Sequence, residues 1–491
     1  MTIQIPFDNS YARLPEAFYR KVAPTPVGAP RLVALNRRLA AELGLDPDAL
    51  SGEAGAAAFS GNAAPAGSEP IATAYAGHQF GQFVPQLGDG RAILLGEVVG
   101  VDGGRRDIQL KGAGATPFSR RGDGRAALGP ILREYLVSEA MAALGVPTTR
   151  ALAAVTTGEA VYRDRPLPGA VLTRVASSHI RVGTFQYFAA RGQVDALKAL
   201  VDHVVERHYP ELEGRRDKAL GLLEAVVERQ ARLVAQWMGL GFVHGVMNTD
   251  NCSIAGETID YGPCAFIDAF DPNAVFSSID AYGRYAYSNQ PGIAQWNLTR
   301  LAECLLPLIA EDGDEAVRIA TGSIEGFAPA FEAASLSGYR AKFGLARAEP
   351  DDGALVQGLL ARMADARADF TLTFRALGAF ADGSAPGAIL DLFDDHAPFL
   401  AWGERYRARL AQDGVDPAER RTGMDRTNPA IIPRNHQVEA VIEAAVEEDD
   451  FGPFERFALA LSDPFNRAAE RSPYAAPRPD DAGAYRTFCG T

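Results

Sequence analysis

Cysteine is scarce in this chain: four in 491 residues, Cys252, Cys264, Cys304 and Cys489, with no Cys-x-x-Cys pair and no His/Cys cluster. That excludes a zinc framework and a disulfide-dense scaffold, and makes a reducing compartment the default. No apolar run reaches the ~18 residues a membrane helix needs, and Met1 to Asn9 lacks a basic region followed by an apolar one. A cytoplasmic protein without membrane contact is therefore expected. An excess of positive charge is missing too. At a net charge of −14, binding to nucleic acid or anionic lipid is not expected. Repeats at solenoid periods are lacking. What remains is an ordinary globular composition, 47% hydrophobic, enough for one large core or two to three smaller ones.

Along the chain, a short helix is expected over Pro30 to Leu45. Asp46 to Pro70 consists largely of Ala, Gly, Ser and Pro, which reads as an exposed connection. An aromatic, Gly-rich segment then leads to Gly88-Asp89-Gly90-Arg91, an apolar strand Ala92 to Val99, a turn, and a strand Asp107 to Lys111. In a nucleotide site, small residues let backbone N–H groups approach phosphate while a strand lysine supplies a point charge. The amphipathic pattern from Ala126 to Leu144 carries Glu134, which could pair with Lys111, and Glu139, a competitor for that role. Taken singly, the glycines and Lys111 read better as a surface loop and a solvated strand end, and it is the helix that follows which shifts the balance. Further helices are read over Lys218 to Gly239, 296–311, 352–368, 399–411 and 435–447, whereas Pro263 to Pro291 lacks helical period and reads as a long functional loop.

The densest chemistry lies between His244 and Gly262. Ser253-Ile254 and Thr258-Ile259 read as two short strands around the turn Ala255-Gly256-Glu257, a hairpin that would bring Asn251 to Asp260. An amide oxygen and a carboxylate at such a separation can share a hard divalent cation. His244 and Asn251 stand seven residues apart, as in the His-Arg-Asp-x-x-x-x-Asn loop of protein kinases, and Asp260-Tyr261-Gly262 takes the place of Asp-Phe-Gly. The kinase base position is Val246, which cannot accept a proton; the nearest carboxylate is Asp250. His179, His203 and His244 read as structural groups.

Read together, Gly88-Asp89-Gly90-Arg91, Lys111-Gly112, Gly122-Asp123-Gly124-Arg125, Arg133-Glu134-Tyr135 with Ser138-Glu139-Ala140-Met141, Leu172-Thr173-Arg174 and His179-Ile180-Arg181 resemble the selenoprotein O family over nearly the whole chain. The resemblance implies a protein-kinase-like two-lobed α+β fold, with a β-rich N-lobe, a helical C-lobe, and N- and C-terminal extensions. The chain would divide into 1–70, 71–190, 191–345 and 346–491. It implies a protein adenylyltransferase that binds ATP turned around, so that AMP passes to Ser, Thr or Tyr hydroxyls of proteins, its own included, with UTP as a second donor. By position, Lys111 would contact phosphate and pair with Glu134, Asn251 and Asp260 would hold Mg²⁺ or Mn²⁺, and Asp250 would accept the proton. Gly88, Gly90, Arg91, Asp123 and Gly124 would line the nucleotide pocket, with Arg174 and Arg181 on the terminal phosphates. Where eukaryotic members end in a selenocysteine motif, this tail has the single Cys489, which leaves a redox tie to Cys252 or Cys264 and four unpaired thiols as the two readings. A γ-phosphotransferase using Asp250 as a displaced base, and a non-catalytic nucleotide-binding pseudokinase, are the alternatives.

Overall fold

The computed structural model describes residues 3–479 and residue 485; Cys489 lies outside them. Its first half is organised by one antiparallel sheet. The strands are β1 (Tyr19–Lys21), β2 (Arg31–Leu35), β3 (Ile71–Thr73), β6 (Ala92–Val99), β7 (Arg105–Lys111), β8 (Ala126–Ala127), β9 (Arg150–Tyr162) and β10 (Pro166–Ala176). The order across the sheet is β1-β3-β6-β7-β10-β9-β2, with β8 paired to β10. A separate hairpin, β4 (Gly77–Gln79) with β5 (Gln82–Val84), precedes β6.

Pleat alternation sorts the sheet's side chains. Ile108 and Leu110 of β7, with Val171 and Val175 of β10, face a layer made by α1 (Arg37–Glu42) and α2 (Gly52–Ser60). Lys111 and Gln109 point the other way. The register pairs Lys111 with Leu172 and Gln109 with Arg174, so Lys111 and Arg174 emerge on one face. That face is covered by α3 (Leu128–Ala143), whose Ile131, Leu132, Tyr135 and Leu136 pack on the strands. Glu134, Val137 and Met141 form an adjoining stripe at helical spacing, and Glu134 is 1% exposed.

The second half is helical: α4 (Val182–Ala189), α5 (Val194–His208), α6 (Lys218–Leu240), α7 (Gln290–Ile309), α8 (Gly313–Glu325), α9 (Phe327–Phe343), and α10 to α16 between Asp352 and Leu461. The amphipathic α6 sits in the middle of the largest core cluster and ends where Gly241 turns left-handed at φ +70°. Two of the last helices, α15 (Asn435–Glu447) and α16 (Gly452–Leu461), return to the sheet half and bury Val438, Val441, Phe454 and Phe457 against α3. No helix among the described residues is long and apolar enough to cross a membrane.

Three expectations need correction. Residues 30–45 form β2 followed by the short α1, because Leu32 to Leu35 pair with β9 and Asn36 then caps the helix by accepting from Leu39 N. The stretch 46–70 is not simply an exposed connection: its alanines form α2, which seats Ala58 and Phe59 in the core, small residues allowing close approach to the sheet. Ser253-Ile254 and Thr258-Ile259 do not pair with each other. Ser253 bridges Arg181, and Thr258 bridges Thr148, so each finds its backbone partner on a different distant segment.

Lys342, on α9, is buried with no carboxylate in ion-pair distance among the described residues; its Nζ lies 4.3 Å from the centroid of the Phe374 ring. Burial pushes its ammonium down to about 7 from an ordinary 10.5, an effect the ring face partly offsets. Between those values the unfolded chain holds the proton that the folded chain has released, so stability rises with pH across that window and carries the full cost below it. Lys342→Met is therefore expected to stabilise the protein near neutral pH by up to about 4 kcal/mol. The advantage should vanish towards pH ~10, as checked by thermal melts at the two values.

Candidate functional site

Between the sheet half and the helical half lies a cavity of about 420 Å³, lined among others by Tyr75, Gln79, Asp89, Gly90, Arg91, Lys111, Arg120, Arg174, Arg181, Asp250, Asn251 and Asp260. The loop that supplies the last three is closed at its ends by β11 (Phe242–Val243), paired antiparallel with β12 (Ala265–Phe266). Inside it, Ile254 N donates to Ile180 O at 3.0 Å and Thr258 N to Pro147 O at 2.9 Å. Those ties to two separate elements place Asn251 and Asp260 at one cavity.

Asp260 is the centre of the charge. Its carboxylate accepts from Arg174 and, at 3.5 Å, from Arg181, and lies 3.9 Å from Lys111 Nζ. Lys111 Nζ donates to Glu134 Oε2 at 2.5 Å, and Arg174 Nε donates to the other Glu134 oxygen. Three cations thus share two carboxylates. Burial alone would raise the Asp260 carboxyl, but Arg174, Lys111 and Arg181 hold it far below the usual carboxylate range. Glu134 is likewise held low against burial, by Arg174 and Lys111. Burial and the neighbouring Arg174 pull the Lys111 ammonium down. Asp260 adopts φ +64°, a left-handed conformation that aspartate tolerates better than most residues; its side chain keeps 26% of its surface open.

Asp250 is a different kind of carboxylate. It is buried, its Oδ1 has no hydrogen-bond partner among the described residues, and its Oδ2 accepts only a long 3.4 Å bond from Gln79 Nε2. Burial pushes it up to about 6, against the pull of Arg181. Arg181 reaches its backbone carbonyl at 2.9 Å and stacks over Tyr75 with 4.4 Å to the ring centroid. Val246 also lines the cavity, so the kinase base position faces it as an aliphatic group.

Other sequence candidates lie elsewhere. Glu139 binds Arg150 and Asn36, away from Lys111. Asp123 is ion-paired to Arg163 at 2.9 Å outside the cavity lining. Gly124 packs on the Gly114 backbone, and Gly88 backs onto Phe118, whose Cγ a Cβ would approach to 2.3 Å. Gly90 and Arg91 do line the cavity. His179 bonds Asp107, and His244 Nε2 meets Ile259 O at 2.9 Å, both structural arrangements. Cys252 is buried and its thiol is pushed up to about 12, far from a ready thiolate.

The hairpin β4–β5 was not recognised as part of the site in the sequence. Thr249 Oγ1 accepts from His78 N at 2.6 Å and Asn248 Oδ1 from Phe80 N at 3.0 Å, which pin the hairpin to the Asp250 loop. The signal was the unusual mixture Gly77-His78-Gln79-Phe80-Gly81, polar groups inside an aromatic run. A Cβ at Gly77 would stand 2.7 Å from Asp250 Oδ1. Gly77→Ala is accordingly expected to displace Asp250 and slow turnover by about 10²-fold with nucleotide affinity kept, measurable by comparing rate with nucleotide binding.

The donor set suits a hard cation. Asn251 gives its Nδ2 to Val246 O at 2.9 Å, which leaves its amide oxygen as the atom that could meet a metal, in the same cavity lining as Asp260. No cluster of three or more His, Cys, Asp or Glu side chains fit for a metal exists among the described residues. Two protein oxygens match a cation that draws its remaining ligands from phosphate and water.

A family model described as protein adenylyltransferase SelO matches residues 1–462. Curated relatives called protein nucleotidyltransferase YdiU, from Rhodopseudomonas palustris (strain HaA2) and Methylorubrum populi, are each 62% identical, covering 100% of this chain and of their own. The protein of that name from Bradyrhizobium sp. (strain ORS 278) is 60% identical over the same full extent.

Proposed function

The chain belongs to the protein adenylyltransferase SelO family, and from that premise we propose that it transfers AMP from ATP to hydroxyl groups of protein side chains, with the triphosphate turned into the Lys111–Arg174–Arg181 cluster. The observation that carries the orientation is that cluster itself: three buried cations that, among the described residues, share two carboxylates within ion-pair distance. Terminal phosphates entering there would relieve a net positive site, and the α-phosphate would then lie towards Asp250. Arg91 and Arg120 extend the cationic lining. A kinase-like two-lobed arrangement is part of the same reading, supported by the sheet with α3 on one side of the cavity and the helices around α6 on the other.

In the step proposed, the acceptor hydroxyl oxygen bonds to the α-phosphorus while the bond from that phosphorus to the bridging oxygen breaks. Pyrophosphate leaves with the electron pair, and the hydroxyl proton passes to the Asp250 carboxylate. A buried carboxylate with an unpartnered oxygen is suited to that role. Asn251 and Asp260 would hold Mg²⁺ or Mn²⁺. Such an ion, when bound, supplies charge neutralisation on the phosphate oxygens. Lys111 and Arg174, fixed by Glu134, orient the triphosphate for in-line displacement.

ATP labelled separately at the α and γ positions tests the reading. Label from the α position is expected on acceptor protein and label from the γ position on released pyrophosphate. γ-label retained on the acceptor would establish phosphotransfer instead, and no label from either would leave a nucleotide-binding protein without transfer.

A further inference from the structure

A second cleft, about 780 Å³, opens beside the nucleotide cavity and shares two of its walls, Phe80 and Ile279. It lies between the tip of the β4–β5 hairpin and the irregular segment that precedes α7. Ile279 and Tyr282 stand in its lining with 59% and 100% of their surface in water. Large apolar groups grouped at the mouth of a cavity mark a contact surface.

The cleft also has a cation without an anion. The Arg284 guanidinium lies 4.9 Å from the centroid of Trp296 and 5.7 Å from that of Tyr285, and no carboxylate stands within ion-pair distance of it among the described residues. Its Nε is buried without a hydrogen-bond partner there. Gly81 lies alongside it, a Cβ at that position being 3.7 Å from the guanidinium carbon, an ordinary contact. The acidic side chain of the lining, Asp280, is engaged elsewhere, accepting from Arg284 N at 2.9 Å and Tyr285 N at 2.8 Å. The positive field is felt next door, where His78 is pushed down by burial and by Arg300 and Arg284.

The cleft is mechanically joined to the reacting end of the site. Asn248 Oδ1 accepts both from Phe80 N, at 3.0 Å, and from the Tyr285 hydroxyl, at 2.7 Å. Gln79, beside Phe80, reaches Asp250. The hairpin that walls the cleft is therefore tied by hydrogen bonds to the loop that carries Asp250.

We propose that this cleft docks the acceptor protein as an extended segment, its hydroxyl residue entering between Phe80 and Ile279 towards Asp250 and a nearby aspartate or glutamate of the same segment pairing with Arg284. The assignment rests on the AMP-transfer reading and adds the class of acceptor: hydroxyls with an acidic neighbour. A guanidinium preoriented on aromatic faces pairs with a carboxylate at small entropic cost, and the exposed Ile279 and Tyr282 cover the segment's apolar side chains.

The test uses the full chain, α-labelled ATP, and two synthetic peptides identical except for Glu or Lys two residues from a single threonine. The wild-type protein is expected to modify the Glu peptide with a kcat/KM about tenfold above that for the Lys peptide. Arg284→Glu should reverse the order while binding a fluorescent ATP analogue as before. Tyr282→Ala, at a fully exposed position, should raise KM for the Glu peptide and keep kcat. Should Arg284→Glu fail to bind nucleotide, Arg284→Gln takes its place and should abolish the preference. Equal rates on both peptides in the wild type, an unchanged preference in the Arg284 variants, or self-labelling with neither peptide modified would overturn the proposal. Transfer from the γ position only would overturn the AMP reading instead, and the same peptides would still measure the preference.

Discussion

Asp260→Ala is expected to lower AMP transfer more than about 10³-fold, because it removes the carboxylate that three cations share and that is proposed to hold the metal. The structural consequence separates this from a simple loss of metal. Lys111 and Arg174 would be left with Glu134 alone, and Arg181 with no carboxylate in ion-pair distance among the described residues; breaking up such a buried set costs about 3 kcal/mol. The melting temperature should fall accordingly. ATP without metal should then stabilise the variant more than it stabilises the wild-type protein, since phosphate takes the place of the missing carboxylate. A variant that melts like the wild type and gains nothing from ATP would show that phosphates do not enter the cluster.

Asp250→Asn should have the second largest effect on rate and the opposite effect on the fold. Transfer is expected to drop by about 10²–10⁴-fold, the range for loss of a positioned general base. Burial already disfavours the Asp250 carboxylate, so a neutral amide of the same shape should leave stability unchanged or improved. Nucleotide affinity should be kept, because the Asp250 side chain meets Gln79 and makes no hydrogen bond to the cation cluster among the described residues. Rate, melting temperature and nucleotide affinity measured on one preparation distinguish the two aspartates. Unchanged transfer would mean that the hydroxyl loses its proton elsewhere.

Much of this arrangement was legible in the sequence where the determinants are local. The apolar run Ala92 to Val99 is a strand with those same bounds, and the pattern at 435–447 is a helix with those same bounds. Alternation along β7 sets the side on which Lys111 emerges, and the helical spacing of α3 sets the stripe to which Glu134 belongs, so their meeting at 2.5 Å follows from two short patterns. Glu139, five positions further along α3, faces Arg150 because five residues rotate a helix well away from the first stripe.

What the sequence hid depends on partners far along the chain. Ser253 and Thr258 look like two arms of a hairpin, yet they pair with Arg181 and Thr148, which no local pattern announces. The hairpin β4–β5 joins the site through Asn248 and Thr249, some 170 residues later. Residues 46–70 have the composition of a linker, but α2 is held by the fit of Ala58 and Phe59 against the sheet, a matter of shape rather than hydrophobic content.

The most direct test of the central claim is a structure of the protein with a non-transferable ATP analogue and Mg²⁺ or Mn²⁺. The terminal phosphates should lie on Lys111, Arg174 and Arg181, with the α-phosphate next to Asp250 and the cation on Asn251 and Asp260. Adenine in the depth of the cavity, with the γ-phosphate beside Asp250 and no phosphate near Arg174 or Arg181, would contradict it.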